Sequence, residues 1–404
     1  MDIKEKATEI LKNNFVCDHC LGRQFAQLLS GMTNEERGKI VRNYLAMLID
    51  SGEKIEVNES NFYGLNFHLN KIKPERPKKC SICSNVFDEL KKKVKLIEKE
   101  LKKYDYSTFL VGCKLTPDLA NREEELWDNI GVDWCESIKN EINRELGIEL
   151  WKIVRKDMDR INPDITVLFD LNTNSVKINV RSIYVFGKYQ KFVRNMPQTK
   201  WKKKIYKTSV QEIIEKPLRE QTKSKMTSFH GAGREDINVR CLGWRPFVIE
   251  LLSPMKRKLN LKNAINEINK SKKVKVKQLN VVRKDVVRKV KFANCDKTYR
   301  AIVSFEKPLE NLKNLRQLKN AVIAQKTPTR VLRRRSDLTR KRKLKDITYK
   351  ILNKKKLELK ITAQSGLYIK ELISGDNERT KPNISEILDN KVKNIELDVI
   401  KIHL

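Results

Sequence analysis

His230-Gly231-Ala232-Gly233-Arg234-Glu235-Asp236-Ile237-Asn238-Val239-Arg240 is the stretch on which the reading of this chain turns. Its two flanking glycines give a flexible lead-in. Arg234 and Arg240 bracket the acidic pair, and Ile237-Asn238-Val239-Arg240-Cys241 alternates apolar and polar residues as a strand does. Asp236 therefore stands where a loop becomes a strand, between cations. Such a carboxylate stays ionised at neutral pH, as a carboxylate nucleophile must. On spacing alone, a surface salt bridge beside a glycine turn is the plainer account. Glu235 precedes Asp236 in an extended strand, points to the opposite side, and reads as a salt-bridge partner.

Downstream the chain stays strand-rich. Phe247-Val248-Ile249-Glu250-Leu251 reads as a buried strand, and Tyr299, Ala301, Val303 and Phe305 alternate. Ile347, Tyr349 and Ile351 mark one further strand, and Leu357, Leu359 and Ile361 another. Helices are expected at about residues 260–270 and 310–325. Residues 205–404 thus read as a mixed, largely antiparallel sheet flanked by helices.

Upstream, Ile165, Val167 and Phe169, the turn Asn172-Thr173-Asn174, and Val176, Ile178 and Val180 predict a hairpin behind a helical stretch from Trp127 to Leu146. Residues 105–204 read as a small α/β unit, with Met196–Trp201 as its exit linker. Residues 1–104 read as helical: Thr33 and Glu36 make a capping-box pattern, and Val86 to Tyr104 carries apolar residues at helical spacing. The fold class is α+β.

The helical region also holds Cys17-Asp18-His19-Cys20 and Cys80-Ser81-Ile82-Cys83. Two thiolate pairs on tight turns form a closed tetrahedral site that suits one structural zinc. A lone redox pair would not need the second. Four thiolates leave no open position, so the ion is expected to staple a helical unit and take no part in chemistry. Cys113, Cys135, Cys241 and Cys295 read as buried thiols.

Lys and Arg number 86 against 51 acids among 404 residues, a net charge of +35. A polyanion is the natural partner of such a chain. Arg330, Arg333, Arg334 and Arg335 open a run reaching Lys343 that reads as a phosphate-binding loop, one that orders on RNA. No apolar run is long enough for a bilayer, and no membrane or protein partner is expected. The cysteine usage points to the cytoplasm.

Three ordered segments carry a resemblance. Gly233-Arg234-Glu235-Asp236, Lys297-Thr298-Tyr299-Arg300 and Gly366-Leu367-Tyr368-Ile369-Lys370-Glu371-Leu372 resemble the successive motifs of pseudouridine synthases. With Pro197–Trp201, Gly243–Phe247, Thr327–Val331, Gly375–Pro382 and the cysteine pairs, the whole chain resembles the archaeal and eukaryotic "Pus-ten" family of tRNA synthases. These act at positions 54 and 55 and carry a THUMP-type RNA-binding unit. The resemblance implies a pseudouridine-synthase fold for residues 205–404, a tRNA substrate, and no organic cofactor. It implies that Asp236 is the nucleophile and Lys370 its buried ion-pair partner. Tyr299 stacks on the flipped base and assists in removing the C5 proton, Ile369 and Tyr368 line the pocket, and Arg234 fills the space the base leaves.

Two other classes compete. One is a non-catalytic zinc- and THUMP-containing tRNA-binding protein, against which the three ordered motifs stand. The other is a different THUMP-bearing enzyme, a methyltransferase or thiouridine synthase. Neither a G-x-G-x-x-G nor a G-x-x-x-x-G-K-[ST] loop occurs to serve it.

Overall fold

The computed structural model describes residues 2–201 and 205–403, with the Arg334 side chain outside what it describes. The chain divides into two compact units, Met1–Arg181 and Ser182–Leu404.

In the first unit, α1 (Ile3–Leu11) begins in a capping box made by Asp2 and Glu5. α2 is Asp18–Gly22. Thr33 and Glu36 form both halves of the expected box at the start of α3 (Asn34–Asp50). α4 (Leu90–Leu101) follows a short 3-10 turn. The stretch expected as one helix from Trp127 to Leu146 is two, α5 (Pro117–Ile130) and α6 (Ile138–Val154). Gly131, at φ +70°, ends the first, and Ser137 caps the second through the Asn140 amide. β1 (Thr108–Lys114), β2 (Asp157–Met158), β3 (Ile165–Asp170) and β4 (Ser175–Val180) form a mixed sheet in the order β2-β1-β3-β4. β3 and β4 are the expected hairpin, with Ile165 opposite Val180. One core runs from Ala7 through Phe62 and Val94 to Phe109 and Phe169. The helical region and the small α/β region, expected to part near residue 104, therefore share a single apolar interior.

In the second unit, ten strands join in one sheet among the described residues. They are β5 (Ile183–Lys191), β6 (Met226–Gly231), β7 (Arg240–Leu252), β8 (Val274–Val282), β9 (Lys297–Phe305), β10 (Val322–Gln325), β11 (Arg340–Asn353), β12 (Lys356–Ala363), β13 (Thr380–Lys381) and β14 (Val392–Ile402). Their order is β13-β10-β11-β12-β9-β14-β7-β5-β8, with β6 also on β7. Helices α7 (Val210–Thr222), α8 (Leu261–Lys270), α9 (Asp285–Lys291) and α10 (Ile369–Ser374) accompany it. β5 pairs with β7 and β8, so the unit begins at Ser182 and not near residue 205. The segment expected as an exit linker lies inside it, with Met196 and Gln198 buried. The helix expected at 310–325 is a 3-10 turn, Leu312–Leu318, followed by β10. Leu315, Leu318 and Ile323 are buried, and pairing of β10 with β11 sets the strand there. No helix among the described residues is long and apolar enough to cross a membrane.

Along the sheet path every junction is antiparallel except β14 to β7, which is parallel and brief: Asp398 opposite Arg240 and Val399 opposite Cys241. Side chains reinforce it. The Asp398 carboxylate accepts from Arg240 Nε at 2.9 Å and Nη2 at 2.7 Å, from Arg194 Nη2 at 2.8 Å, and from Arg300 Nη2 at 3.1 Å. Burial alone pushes its carboxyl up; the three guanidiniums outweigh that and hold it below the ordinary carboxylate range. This clamp fixes the start of β7, and the loop that precedes it carries Asp236.

Candidate active site

The loop from Ala232 to Val239 joins β6 to β7. Gly233 adopts φ +75°, where a Cβ is strained and lies 3.3 Å from Arg245 Nη1. Three side chains from beneath satisfy the loop's carbonyls. Arg245 donates to Ala232 O at 2.8 Å, Gln198 to Gly233 O at 3.1 Å, and Lys191 to both Asp236 O and Ile237 O at 3.3 Å. Asp236 O also accepts from Val239 N at 3.0 Å, so Ile237 and Asn238 form a turn and the strand starts only at Arg240.

Glu235 does point away from Asp236. Its carboxylate is wholly buried, accepts from Tyr189 Oη at 3.0 and 3.1 Å, and lies 3.8 Å from Lys191 Nζ. Arg245 Nε sits 3.1 Å from it without hydrogen-bond alignment. Glu235→Ala leaves Lys191 and Arg245 buried without their counter-charge. The expected cost is about 3–5 kcal/mol of unfolding free energy, read from the denaturant midpoint of the full chain. A change below about 1 kcal/mol contradicts this role.

Asp236 turns outward, about a third exposed, and both of its oxygens are held. Lys370 Nζ lies 3.1 Å from Oδ2 and Arg330 Nη1 2.9 Å from Oδ1. Burial pushes its carboxyl up; the Arg330 and Lys370 charges prevail, and it lies below the ordinary carboxylate range. The carboxylate is thus ionised at neutral pH. Lys370 projects from the first turn of α10 and also donates to Asn238 Oδ1 at 2.8 Å, which sets its direction. Its ion pair is half-buried, not buried as expected.

Tyr299 lies on β9 opposite Val399 of β14, which in turn faces Cys241 of β7. Two strand spacings, roughly 10 Å, separate its backbone from Cys241. Burial pushes its phenol up to about 12; Arg245 pulls it the other way, and Cys241 and Asp236 add to the rise. The phenol is therefore protonated at neutral pH.

The remaining expected residues divide. Arg234 is exposed on the loop. Ile369 is buried in the same apolar core as Leu372 and Ile373. The Tyr368 amide donates to Gln325 Oε1 and its carbonyl accepts from Gln325 Nε2, both at 2.9 Å, and its hydroxyl accepts from Arg335 Nη1 at 2.7 Å. Arg333 is exposed, and the Arg334 side chain lies outside the described residues. The cationic run is not one open loop. It forms a 3-10 turn, Thr329–Arg334, and its last members Arg340–Lys343 are in β11. Arg330 is engaged by two carboxylates: its Nε donates to Glu371 Oε1 at 2.6 Å and its Nη2 to Oε2 at 3.4 Å, besides the bond to Asp236. Sequence reading singled out neither Glu371 nor this use of Arg330.

In the first unit, Cys17, at the N-terminus of α2, and Cys20, within it, meet Cys80 and Cys83 with all four sulfurs within 4.8 Å of one another. Zinc–thiolate bonds of about 2.3 Å require tetrahedral edges of roughly 3.8 Å, and the Cys17–Cys83 pair is at 3.5 Å. The Cys17 amide donates to Cys80 Sγ at 3.3 Å, as a thiolate ligand invites. α2 meets α3 so closely that a Cβ on Gly22 would lie 1.8 Å from Asn34 O. His19 is engaged elsewhere: Nδ1 is 2.9 Å from Glu141, and its ring stacks on Phe87. The donor set fits a four-thiolate metal.

Known proteins share this chain's sequence along nearly its whole length. Residues 184–403 match the family model "Pus10, C-terminal", and residues 94–170 match "Pus10 THUMP domain, archaeal". A Pyrococcus furiosus protein described as tRNA pseudouridine synthase Pus10 is 38% identical over 99% of this chain and 98% of its own. A Methanocaldococcus jannaschii protein of the same description is 39% identical over 98% and 93%. A solved pseudouridylate synthase aligns with 56% of this chain and 69% of its own at 16% identity and TM-score 0.22, too slight a likeness to carry weight.

Proposed function

The chain belongs to the Pus10 family of tRNA pseudouridine synthases, and from that premise we propose that it isomerises uridine in the T-arm of tRNA, at position 55 and its neighbour 54, with Asp236 as nucleophile. One observation carries the reading: an outward carboxylate kept ionised by two cations, on a loop whose carbonyls are tied from below. Attack at the sugar C1′ or the base C6 frees the base as its N1–C1′ bond breaks. The base turns, C5 bonds to C1′, the bond to Asp236 breaks and returns its carboxylate, the C5 proton leaves and N1 gains one. No atom is gained or lost, so the isomerisation calls for no redox or group-transfer cofactor. Tyr299 stacks on the extruded base with its phenol protonated, and Arg234 fills the space the base leaves. Extrusion costs a few kcal/mol, offset by cationic grip on the surrounding phosphates, to which Arg333 and Arg335 contribute. The first unit holds the tRNA, and one zinc on Cys17, Cys20, Cys80 and Cys83 keeps that unit folded without entering the chemistry. Eight cysteines with no disulfide among them suit the cytoplasm.

The test is to incubate the purified chain with an unmodified tRNA transcript, no cofactor added, and map pseudouridine along the RNA. Conversion confined to the T-arm is expected. Conversion elsewhere, or none, overturns the assignment.

A further inference from the structure

Arg330 spans two carboxylates that lie 94 and 41 residues away in sequence. The nearer in sequence, Glu371, is only 6% exposed at its side chain, against 38% for Arg330 and 34% for Asp236. A buried ion pair is a poor way to gain stability, because desolvation consumes most of the attraction; an apolar residue of similar size often serves as well. What Glu371 supplies is direction. It takes Nε and Nη2 of the guanidinium, and the remaining Nη1 is left aimed at Asp236 Oδ1. Lys370, its neighbour on α10, takes Oδ2.

We propose that Glu371 is a positioning residue of the reaction, acting through Arg330, so that consecutive residues of α10 fix the Asp236 carboxylate from two sides. The inference rests on Asp236 being the nucleophile. It makes Arg330 part of the nucleophile's support and removes it from the phosphate-binding set. A planar guanidinium spans both carboxylates where an ammonium cannot.

The experiment compares Arg330→Gln, Arg330→Lys, Glu371→Gln and Glu371→Asp with the parent chain in steady-state turnover of unmodified tRNA, alongside Asp236→Asn. Both Gln variants are expected to lose about 10²-fold in kcat, as a misplacement near 1 Å does. KM should stay within about twofold, and tRNA affinity should keep its salt slope. Arg330→Lys recovers little and Glu371→Asp recovers part. Arg330 holds the Asp236 carboxyl down, so its loss raises that group's pKa, and the acid limb of the Arg330→Gln pH profile moves to higher pH. A rise in KM with a shallower salt slope and unchanged kcat shows Arg330 to be a phosphate contact and overturns the proposal. So does unchanged kcat in both Gln variants. Should Glu371→Gln not fold, Arg330→Gln decides alone, its side chain being well exposed. An active Asp236→Asn brings down the nucleophile reading itself; an inactive one beside fully active Arg330 and Glu371 variants brings down only this inference.

Discussion

Asp236→Asn lowers turnover by about 10⁴-fold or more and leaves folding and tRNA affinity nearly as they were. The magnitude comes from removing a covalent nucleophile, whose loss in other enzymes costs on the order of 10⁴ to 10⁶ in kcat. The selectivity comes from the neighbours. Asparagine has the same shape, and each cation keeps a second partner: Arg330 retains Glu371, and Lys370 retains Asn238 Oδ1. No charge is left buried and alone, so the thermal midpoint should move by only a few degrees. Removing one negative charge beside an RNA site does not weaken tRNA binding. The check is single-turnover rate, thermal midpoint and equilibrium tRNA affinity on one preparation. A variant that loses affinity and activity together indicates that Asp236 is a structural ion pair, not a nucleophile.

Removing the metal, or replacing Cys80 by Ser, abolishes cooperative unfolding of the first unit. A structural four-thiolate zinc contributes about 10–16 kcal/mol in small domains, as much as the roughly 5–15 kcal/mol that an entire domain commands. Three of the four thiols are buried in the core that runs from Ala7 to Phe169, so the loss spreads beyond the cysteine turns. Elemental analysis should find one zinc per parent chain and none in the variant. Calorimetry should show the transition of residues 1–181 broadened or missing, while that of 182–404 persists. A Cys80→Ser chain that retains its metal and its midpoint contradicts the site.

Local features were legible in the sequence, and distant pairings were not. The two Cys-x-x-Cys turns, the Thr33–Glu36 box and the hairpin of Ile165–Val180 are written within a few residues each, and the structure has them. The loop of Asp236 was recognisable because its glycine, its acids and the adjoining β7 are contiguous. Glu371 reaching Asp236 through Arg330 leaves no local trace. Nor does Asp398 gathering Arg194, Arg240 and Arg300, the first two 204 and 158 residues away. β5 fell on the wrong side of a boundary for the same reason. Its alternation looks like any half-buried strand, and its partner β7 lies some fifty residues further on. The segment at 310–325 misled because Leu312, Leu315 and Leu318 recur at a spacing that helical and 3-10 turns share, while pairing with β11 makes Val322–Gln325 a strand.

The most direct measurement of the central claim tracks the C5–H bond. In uridine-labelled tRNA carrying tritium at C5, the isomerisation releases one tritium for each pseudouridine formed, whichever position is used. With enzyme in excess and no cofactor added, the parent chain is predicted to release tritium matching the pseudouridine formed, and Asp236→Asn is predicted to release none above the enzyme-free blank. Release by Asp236→Asn at the parent rate, or none from the parent chain, contradicts the account.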